Sequence, residues 1–281
     1  MERGSEGEMR ETGRREFESL EGMSDACVRG VHHLLLACAD TKLLLGYHYG
    51  EWTFGTPELE AAVASCSLSQ AEFGHVRLLH ALLDRHFGDD PDALVDRRLP
   101  HEFANVGFLD HPVPDWPGFV AANYVVDLAV TRVLHALRHC AFRPLGLSVE
   151  KMIDEERYHL HHGRGWFRTL AARGGDDRRA LERHVRTALA SVAEWLGPPD
   201  EPEDRALVAE GVKATDNRAL LAAVQHDVAE LAETLGVDVA VAPPRSFAGW
   251  TPSNRRIGGG GPDDEILFHL RGAKNAMYKL S

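Results

Sequence analysis

The sequence lacks several features that define large classes of protein. Its four cysteines (Cys27, Cys38, Cys66 and Cys140) show no Cys-x-x-Cys spacing, which favours buried thiols in a reducing compartment over disulfides or a zinc site. Basic residues number 31 against 43 acids, so neither nucleic acid nor an anionic membrane is expected as the main partner. No continuous apolar run approaches the length of a membrane span, and the N-terminus has no apolar signal core. These absences predict a cytoplasmic protein.

Three regions follow from composition. Residues 1–23 contain seven Glu and four Arg with few large apolar side chains, which predicts a disordered leader. Residues 24–240 are predicted to form a helical domain, and residues 241–281 a Gly/Pro-rich loop followed by a short helix. No segment shows the alternation of a strand, so the predicted fold class is all-α.

Apolar periodicity and caps define the predicted helices. Thr56 before Pro57, and Asp115 before Pro117, are typical helix starts. The segment between the second and third helices, residues 88–114, is predicted to wrap the surface as a long connection, which suits a ferritin-like four-helix bundle. The four bundle helices are predicted at about 25–49, 56–87, 115–142 and 148–172, with additional C-terminal helices at about 176–196 and 203–235.

Two Glu-x-x-His pairs, Glu72/His75 and Glu156/His159, fall within two of these helices. Residues three apart share one face of a helix, so each pair points a carboxylate and an imidazole the same way. Asp127 is the one acid in the apolar run 116–140 and lies 29 residues before Glu156. Two such pairs, with a carboxylate from each of the other two helices, form the di-iron site of four-helix carboxylate proteins.

The fourth carboxylate position holds Lys42, 30 residues before Glu72. An ammonium does not ligate metal, which leaves two interpretations open. In the first, Glu72, His75, Asp127, Glu156 and His159 bind metal beside Lys42. In the second, Lys42 and the three carboxylates form a buried salt-bridge cluster in place of metal. The nearby aromatic residues Tyr47, Tyr49 and Trp52 are predicted to pack, with a substrate entrance as the alternative.

Several motifs together resemble one family. They are Asp40-Thr-Lys-Leu-Leu-Leu-Gly46, Gly50-Glu-Trp52, Pro57-Glu-Leu-Glu60, Glu156-Arg-Tyr-His-Leu160 and Gly165-Trp166. In this order they resemble the phenylacetyl-CoA 1,2-epoxidase oxygenase subunits of the ferritin-like superfamily, over roughly residues 30–235. That family has two homologous subunits. One carries a di-iron site and epoxidises the aromatic ring of a CoA thioester, and the other is a metal-free structural subunit.

The resemblance points to both subunits. Glu51-Trp52 and Arg157-Tyr-His-Leu160 are closest to the structural subunit. The residues at the ligand positions are closest to those of the catalytic subunit, and they are Glu72, His75, Asp127, Glu156 and His159. Lys42 departs from the pattern of that subunit. The resemblance therefore implies one of two roles, a catalytic component or a structural one.

We favour the oxygenase interpretation, in which the chain oxygenates an aromatic or acyl-CoA-type substrate with O2. The expected cofactor is iron. The resemblance implies two iron ions, and one or none is expected if Lys42 blocks the site. Lys42 would then be the catalytic proton donor. A homologous oxygenase subunit and a separate reductase are the expected partners, because no flavin or iron–sulfur pattern is present. The alternative is a metal-free structural and interaction subunit of such a multicomponent oxygenase, with Lys42 filling the metal position.

Overall fold

Long helices dominate the computed structural model, which describes residues 16–240 and 246–272 of the chain. A two-stranded antiparallel hairpin, β1 (Trp250–Thr251) and β2 (Arg256–Ile257), is the β-structure named in that part of the chain, apart from one isolated bridge. The helices are α1 (Asp25–Glu51), α2 (Leu59–Phe87), α3 (Pro91–Asp96), α4 (Trp116–Ala121), α5 (Asp127–Leu137), α6 (Arg143–Arg173), α7 (Gly175–Leu196), α8 (Pro202–Ala209), α9 (Asn217–Leu235) and α10 (Asp264–Leu270).

The bundle has four positions, filled by α1, α2, the combined α4 and α5, and α6. A π-helical turn, Ala122–Val126, joins α4 to α5, so residues 116–137 run as one helix with a π turn in its middle. Helix α1 packs along α2, α5 packs along α6, and α2 also contacts α6. The additional helices α7, α8 and α9 pack around this bundle, which confirms the predicted all-α, ferritin-like architecture.

The combined helix Trp116–Leu137 is also long and apolar enough to cross a membrane by length and composition. Within the bundle, 89% of its most apolar stretch is buried. Its apolar character on all sides is therefore accounted for by a central position in the core.

Some helix boundaries differ from those predicted. The second helix begins at Leu59 after Glu58, and the Thr56 hydroxyl bonds to the Glu58 carbonyl instead of capping the helix. The pair Arg143-Pro144 was predicted to lie beyond the end of the third helix, but it begins α6, because proline is well tolerated in a first helical turn. The predicted helix 203–235 is two helices, separated by a turn at Gly211, where φ is 75°.

The connection between α2 and α4 lies largely at the surface over residues 88–102, as predicted, but residues 103–110 pass into the core. Phe103, Val106 and Leu109 are fully buried, and the Trp195 indole of α7 donates a hydrogen bond to the Ala104 carbonyl at 2.8 Å. The short apolar patches of this segment were therefore core residues of the fold.

The C-terminal hairpin is held against the bundle by polar anchors. The Arg256 guanidinium bonds to the Asp110 carboxylate and, at 2.8 Å, to Asn105 Oδ1. The Trp250 indole donates to the Glu194 carbonyl at 2.8 Å. The sequence carries no signal for this hairpin, because two-residue strands are too short to produce a periodic pattern, and the all-α class is unaffected.

The described end of the leader lies against the bundle. Phe17 is 5% exposed, its N–H donates to the Ala141 carbonyl, and its own carbonyl accepts from the Arg143 N–H. Residues 16–23 thus pack against the folded unit, contrary to the disorder predicted there, because Phe17 and Met23 are buried and Leu20 packs on the core. Residues 1–15 lie outside the described residues, as do 241–245 and 273–281, and the predicted boundaries at 23 and 240 stay predictions.

Gly197 provides a test of how the hairpin packs against the bundle. Its φ is 85°, and a Cβ added there would lie 2.4 Å from the Trp250 ring. We expect Gly197→Ala to lower the free energy of unfolding by about 1–3 kcal/mol, through backbone strain and displacement of Trp250. Urea denaturation measures this.

Gly165→Ala is the matched control, because a Cβ at this α6 position meets nothing within 4 Å. We expect it to raise the free energy of unfolding by about 0.5–1 kcal/mol, since alanine is the better helix former. Equal effects of the two substitutions would contradict the described contact of Gly197 with Trp250.

Candidate functional site

The four bundle helices bring the sequence-predicted site residues together at the centre of the molecule. Each side chain is at most 2% exposed. The groups come from α1, α2, the start of α5, and α6: Lys42, Glu72, His75, Asp127, Glu156 and His159.

Local geometry explains this convergence. The two Glu-x-x-His pairs each lie on one face of a long helix, as their spacing predicts. Helices α1 and α2 approach closely at Gly46, where a Cβ would lie only 3.2 Å from the Glu72 side chain and the Phe73 ring. The π turn ends where Asp127 begins α5, and π turns are frequent at functional sites.

The Lys42 ammonium lies among the three carboxylates. Its Nζ donates hydrogen bonds to Glu156 Oε1 at 2.5 Å, Asp127 Oδ1 at 2.9 Å and Glu72 Oε1 at 3.1 Å. An ammonium has three protons, so each proton has a carboxylate acceptor. The contacts that the salt-bridge interpretation predicts for Lys42 are therefore present with all three acids.

The two imidazoles flank the same carboxylates. His159 Nδ1 lies 3.0 Å from Asp127 Oδ2 and 3.3 Å from Glu72 Oε1. His75 Nδ1 lies 3.3 Å from Glu156 Oε1, and its Nε2 lies 2.8 Å from Glu155 Oε2. Glu155 is 38% exposed, so His75 is placed between the buried cluster and a carboxylate that reaches solvent.

Two further residues, Tyr49 and Thr131, bond to the cluster carboxylates without having been predicted as part of the site. The Tyr49 hydroxyl donates to Asp127 Oδ2 at 3.0 Å and accepts from the Asn123 amide at 3.2 Å. The Thr131 hydroxyl donates to Glu156 Oε2 at 2.9 Å. Helical spacing gave a usable signal, because Tyr49 is seven residues after Lys42 and Thr131 is four after Asp127. Tyr49 packs as predicted, and its hydroxyl also bonds to the carboxylate.

Opposite charges dominate the ionisation of the cluster. Burial alone would lower the pKa of Lys42, but Asp127, Glu156 and Glu72 raise it well above its usual value. Burial would raise the pKa of Asp127, but Lys42 and His159 hold it well below the ordinary range. The pKa of Glu72 is lowered in the same way against its burial. The pKa of Glu156 is raised by burial and by the charge of Asp127, as expected when carboxylates share a site.

Both imidazoles favour their protonated forms. Burial opposes protonation of His75, but the carboxylates of Glu156 and Glu72, 3.3 and 3.5 Å from its Nδ1, raise its pKa to about 9. The pKa of His159 is raised well above 6.5 against burial, chiefly by Asp127 and Glu156. With all groups ionised, one ammonium and two imidazolium ions balance three carboxylates. The cluster is then a neutral set of buried charges.

A metal ion competes with this arrangement. One ligand atom from each of Glu72, Asp127, Glu156 and His159 lies within 4.8 Å of the others, which is close enough to surround one ion. Three of these four residues, however, already bond to the Lys42 ammonium. The fourth carboxylate position of a di-iron site is occupied by the lysine itself. The residues present therefore do not fit a di-iron centre while Lys42 keeps its position.

The fold and the site together define a ferritin-like bundle with a carboxylate–imidazole centre. The family described as phenylacetic acid catabolic protein matches residues 9–252, and the chain belongs to this family. The chain is similar to one of the subunits of the 1,2-phenylacetyl-CoA epoxidase of Escherichia coli (strain K12), with 28% identity over 194 residues. The match covers 69% of this chain and 77% of the relative. The resemblance inferred from the motifs is thereby confirmed.

Removal of the Lys42 charge tests the energetics of the cluster. We expect Lys42→Met to lower the free energy of unfolding by about 3–5 kcal/mol, because it leaves three buried carboxylates without their shared cation. Urea denaturation at neutral pH measures the change. Lys151→Met is the control, since that side chain is 73% exposed and should change stability by less than about 0.5 kcal/mol.

The raised pKa of His75 predicts a pH dependence. A folded pKa of about 9 against an ordinary value of 6.5 means that protonated His75 stabilises the fold fully below pH 6.5. That contribution is lost as the pH rises through about 9. We expect the free energy of unfolding to fall by about 1–3 kcal/mol across this window. Denaturation at a series of pH values measures the slope.

The control for this slope is a pair of substitutions. His75→Gln should reduce the fall between pH 6.5 and 9 without abolishing it, because the pKa of His159 is also raised, whereas His161→Gln, on the exposed face of α6, should leave the fall unchanged. Identical slopes for the wild type and His75→Gln would contradict the assignment of the charge to His75.

Proposed function

We propose that this chain is a metal-free, partner-binding subunit of a phenylacetyl-CoA epoxidase-type oxygenase. The single observation that carries the proposal is the position of the Lys42 Nζ, within 3.1 Å of oxygens from all three cluster carboxylates. In this proposal the ammonium supplies the positive charge that metal ions supply in a di-iron bundle. Because of this contact we now prefer the structural-subunit interpretation to the oxygenase interpretation that the motif favoured.

Charge balance supports this choice. Three buried carboxylates need compensating cations, and Lys42 with two protonated imidazoles provides three. A metal ion entering the site would have to displace the ammonium and compete with protons on both imidazoles. Both steps oppose metal binding at neutral pH.

Such a subunit functions as part of a complex with other proteins. The E. coli relative is by its name one component of an epoxidase, and we extend this to a homologous oxygenase subunit as the partner of the present chain. A separate reductase would supply electrons to that partner. The substrate of the assembly would be an aromatic CoA thioester. The buried free thiols of Cys27 and Cys38 support a reducing, cytoplasmic location.

One observation favours a second candidate, an oxygenase with an altered metal centre. The ligand atoms of Glu72, Asp127, Glu156 and His159 lie close enough to hold one ion. In that case iron would be held by these residues with His75 nearby, and it would supply O2 activation. Lys42 would hold a proton beside the site. This candidate requires the ammonium to move from the carboxylates that it now contacts.

Metal content distinguishes the two candidates. We expect the wild-type protein, expressed in iron-supplemented medium and purified without chelator, to contain well under one iron or manganese ion per chain. Elemental analysis by mass spectrometry measures this. We expect Lys42→Glu to bind more metal than the wild type, because it removes the competing cation and supplies the missing fourth carboxylate.

Lys151→Glu is the matched control, because it makes the same charge change at an exposed position on α6. Stoichiometric iron in the wild type, lost in His159→Ala, would overturn the metal-free proposal and favour the oxygenase candidate. A Lys42→Glu variant with no more metal than Lys151→Glu would contradict the idea that Lys42 is what excludes the ion.

A further inference from the structure

The outer surface of α6 carries a row of basic side chains. Arg157, His161, Arg164 and Arg168 recur at intervals of four, three and four residues, and all four are exposed. At about 100° per residue these positions fall within roughly 60° of one another around the helix. We call the three arginines of this row the arginine stripe. It is about 16 Å long, given a rise of about 1.5 Å per residue.

The arginine stripe has no ion-pair partner within the part of the chain that the structure describes. None of its guanidinium groups lies within 4.0 Å of a carboxylate oxygen there. This includes the carboxylate of Asp154, which is on the same face of α6. The neighbouring helix α7 differs, because Arg179 is paired with Asp176 and Arg186 with Asp238.

The rest of the described structure accounts for only part of this row. Arg164 and Arg168 border a cavity that Asp227 and Glu230 of α9 also line. Cations stabilise a helix through its dipole only within the last turn, but α6 continues to Arg173, beyond all three members of the stripe. Like charges spaced four residues apart repel one another. Arg164 does contact the Tyr124 ring, at 5.9 Å from its centroid, whereas no described contact involves Arg157.

Adjacent features are those of a protein-recognition surface. Tyr158 is 76% exposed beside Arg157, and tyrosine and arginine are enriched among residues that dominate interface energies. At Gly165 a Cβ would meet nothing within 4 Å, so the backbone there is open to close approach. A flat, open helix surface bordered by guanidinium groups suits another helix that carries carboxylates.

We infer that the arginine stripe docks an acidic helical face of the homologous oxygenase subunit. The inference rests on the proposed function, which supplies the partner. Charge complementarity selects the chemistry, because guanidinium groups recognise carboxylates through paired hydrogen bonds. Carboxylates spaced by four and seven residues along an antiparallel helix would match the stripe. The net charge of −12 disfavours long polyanions such as nucleic acid, which the rest of the surface would repel.

Binding of the purified homologous subunit from the same host provides the test. Dissociation constants are measured by titration calorimetry for the wild type, Arg157→Glu and Arg164→Glu/Arg168→Glu at 50 and 300 mM salt. We expect binding to weaken at least tenfold in Arg157→Glu and about 100-fold in the double variant, with a smaller salt dependence in both. Arg157→Glu keeps the test sound if the double variant folds poorly, because Arg157 makes no described contact.

The control is Arg179→Glu/Arg186→Glu, which makes the same charge change on α7, where both arginines have partners of their own. It should bind within about twofold of the wild type. Normal wild-type binding that is unaffected in Arg157→Glu and the α6 double variant would overturn the inference while leaving the proposed function intact. A wild-type chain that does not bind the homologous subunit at all would instead refute the proposed function. Equal binding of duplex DNA or anionic vesicles would overturn the choice of a protein partner.

Discussion

The burial of a lysine among three carboxylates is the constraint on which the rest of the structure depends. No single helix supplies more than one carboxylate or amine to the contact, since Lys42, Glu72, Asp127 and Glu156 come from four different segments. A partly assembled bundle would leave at least one charge buried without its partner, which is far costlier than the complete set. The cluster therefore links the docking of the four helices into one cooperative event. Tyr49 and Thr131 complete it by bonding to carboxylate oxygens that Lys42 does not use.

Sequence patterns predicted the site well because its chemistry is repeated along helices. The Glu-x-x-His spacing, together with the offsets to Asp127 and Lys42, identified six residues that all lie in the cluster. Their metal-binding role stays a prediction. The all-α class followed from long periodic segments, which are the most reliable signal in a sequence. The identity of the residues alone did not decide between metal and ammonium, because that depends on where the Lys42 side chain ends.

What the sequence did not predict has a common cause, which is long-range contact. The segment after α2 is rich in turn formers, yet Asn105 and Asp110 hold Arg256, which is about 150 residues away along the chain. Nothing local signals that pairing. Glu155 was likewise unremarked as a partner of His75, because it lies beside the second motif and contacts the first. Helix boundaries near proline were misjudged at Arg143-Pro144, where the same dipeptide suits either the end of one helix or the start of the next.

The π turn Ala122–Val126 has a consequence for how the central helix tolerates change. Before the turn, α4 packs chiefly on α7; after it, α5 packs on α6 and α9. One helix thus serves two sets of neighbours whose directions differ, and the wider turn supplies the change of phase. Conversion of this turn to a regular α-helix without loss of a residue would rotate every later side chain by about 100°, because the π turn holds one residue more than an α turn. The π conformation of this turn therefore sets the face of the helix on which Asp127 lies, and a substitution that favours a regular α-helix here would move that carboxylate away from the cluster.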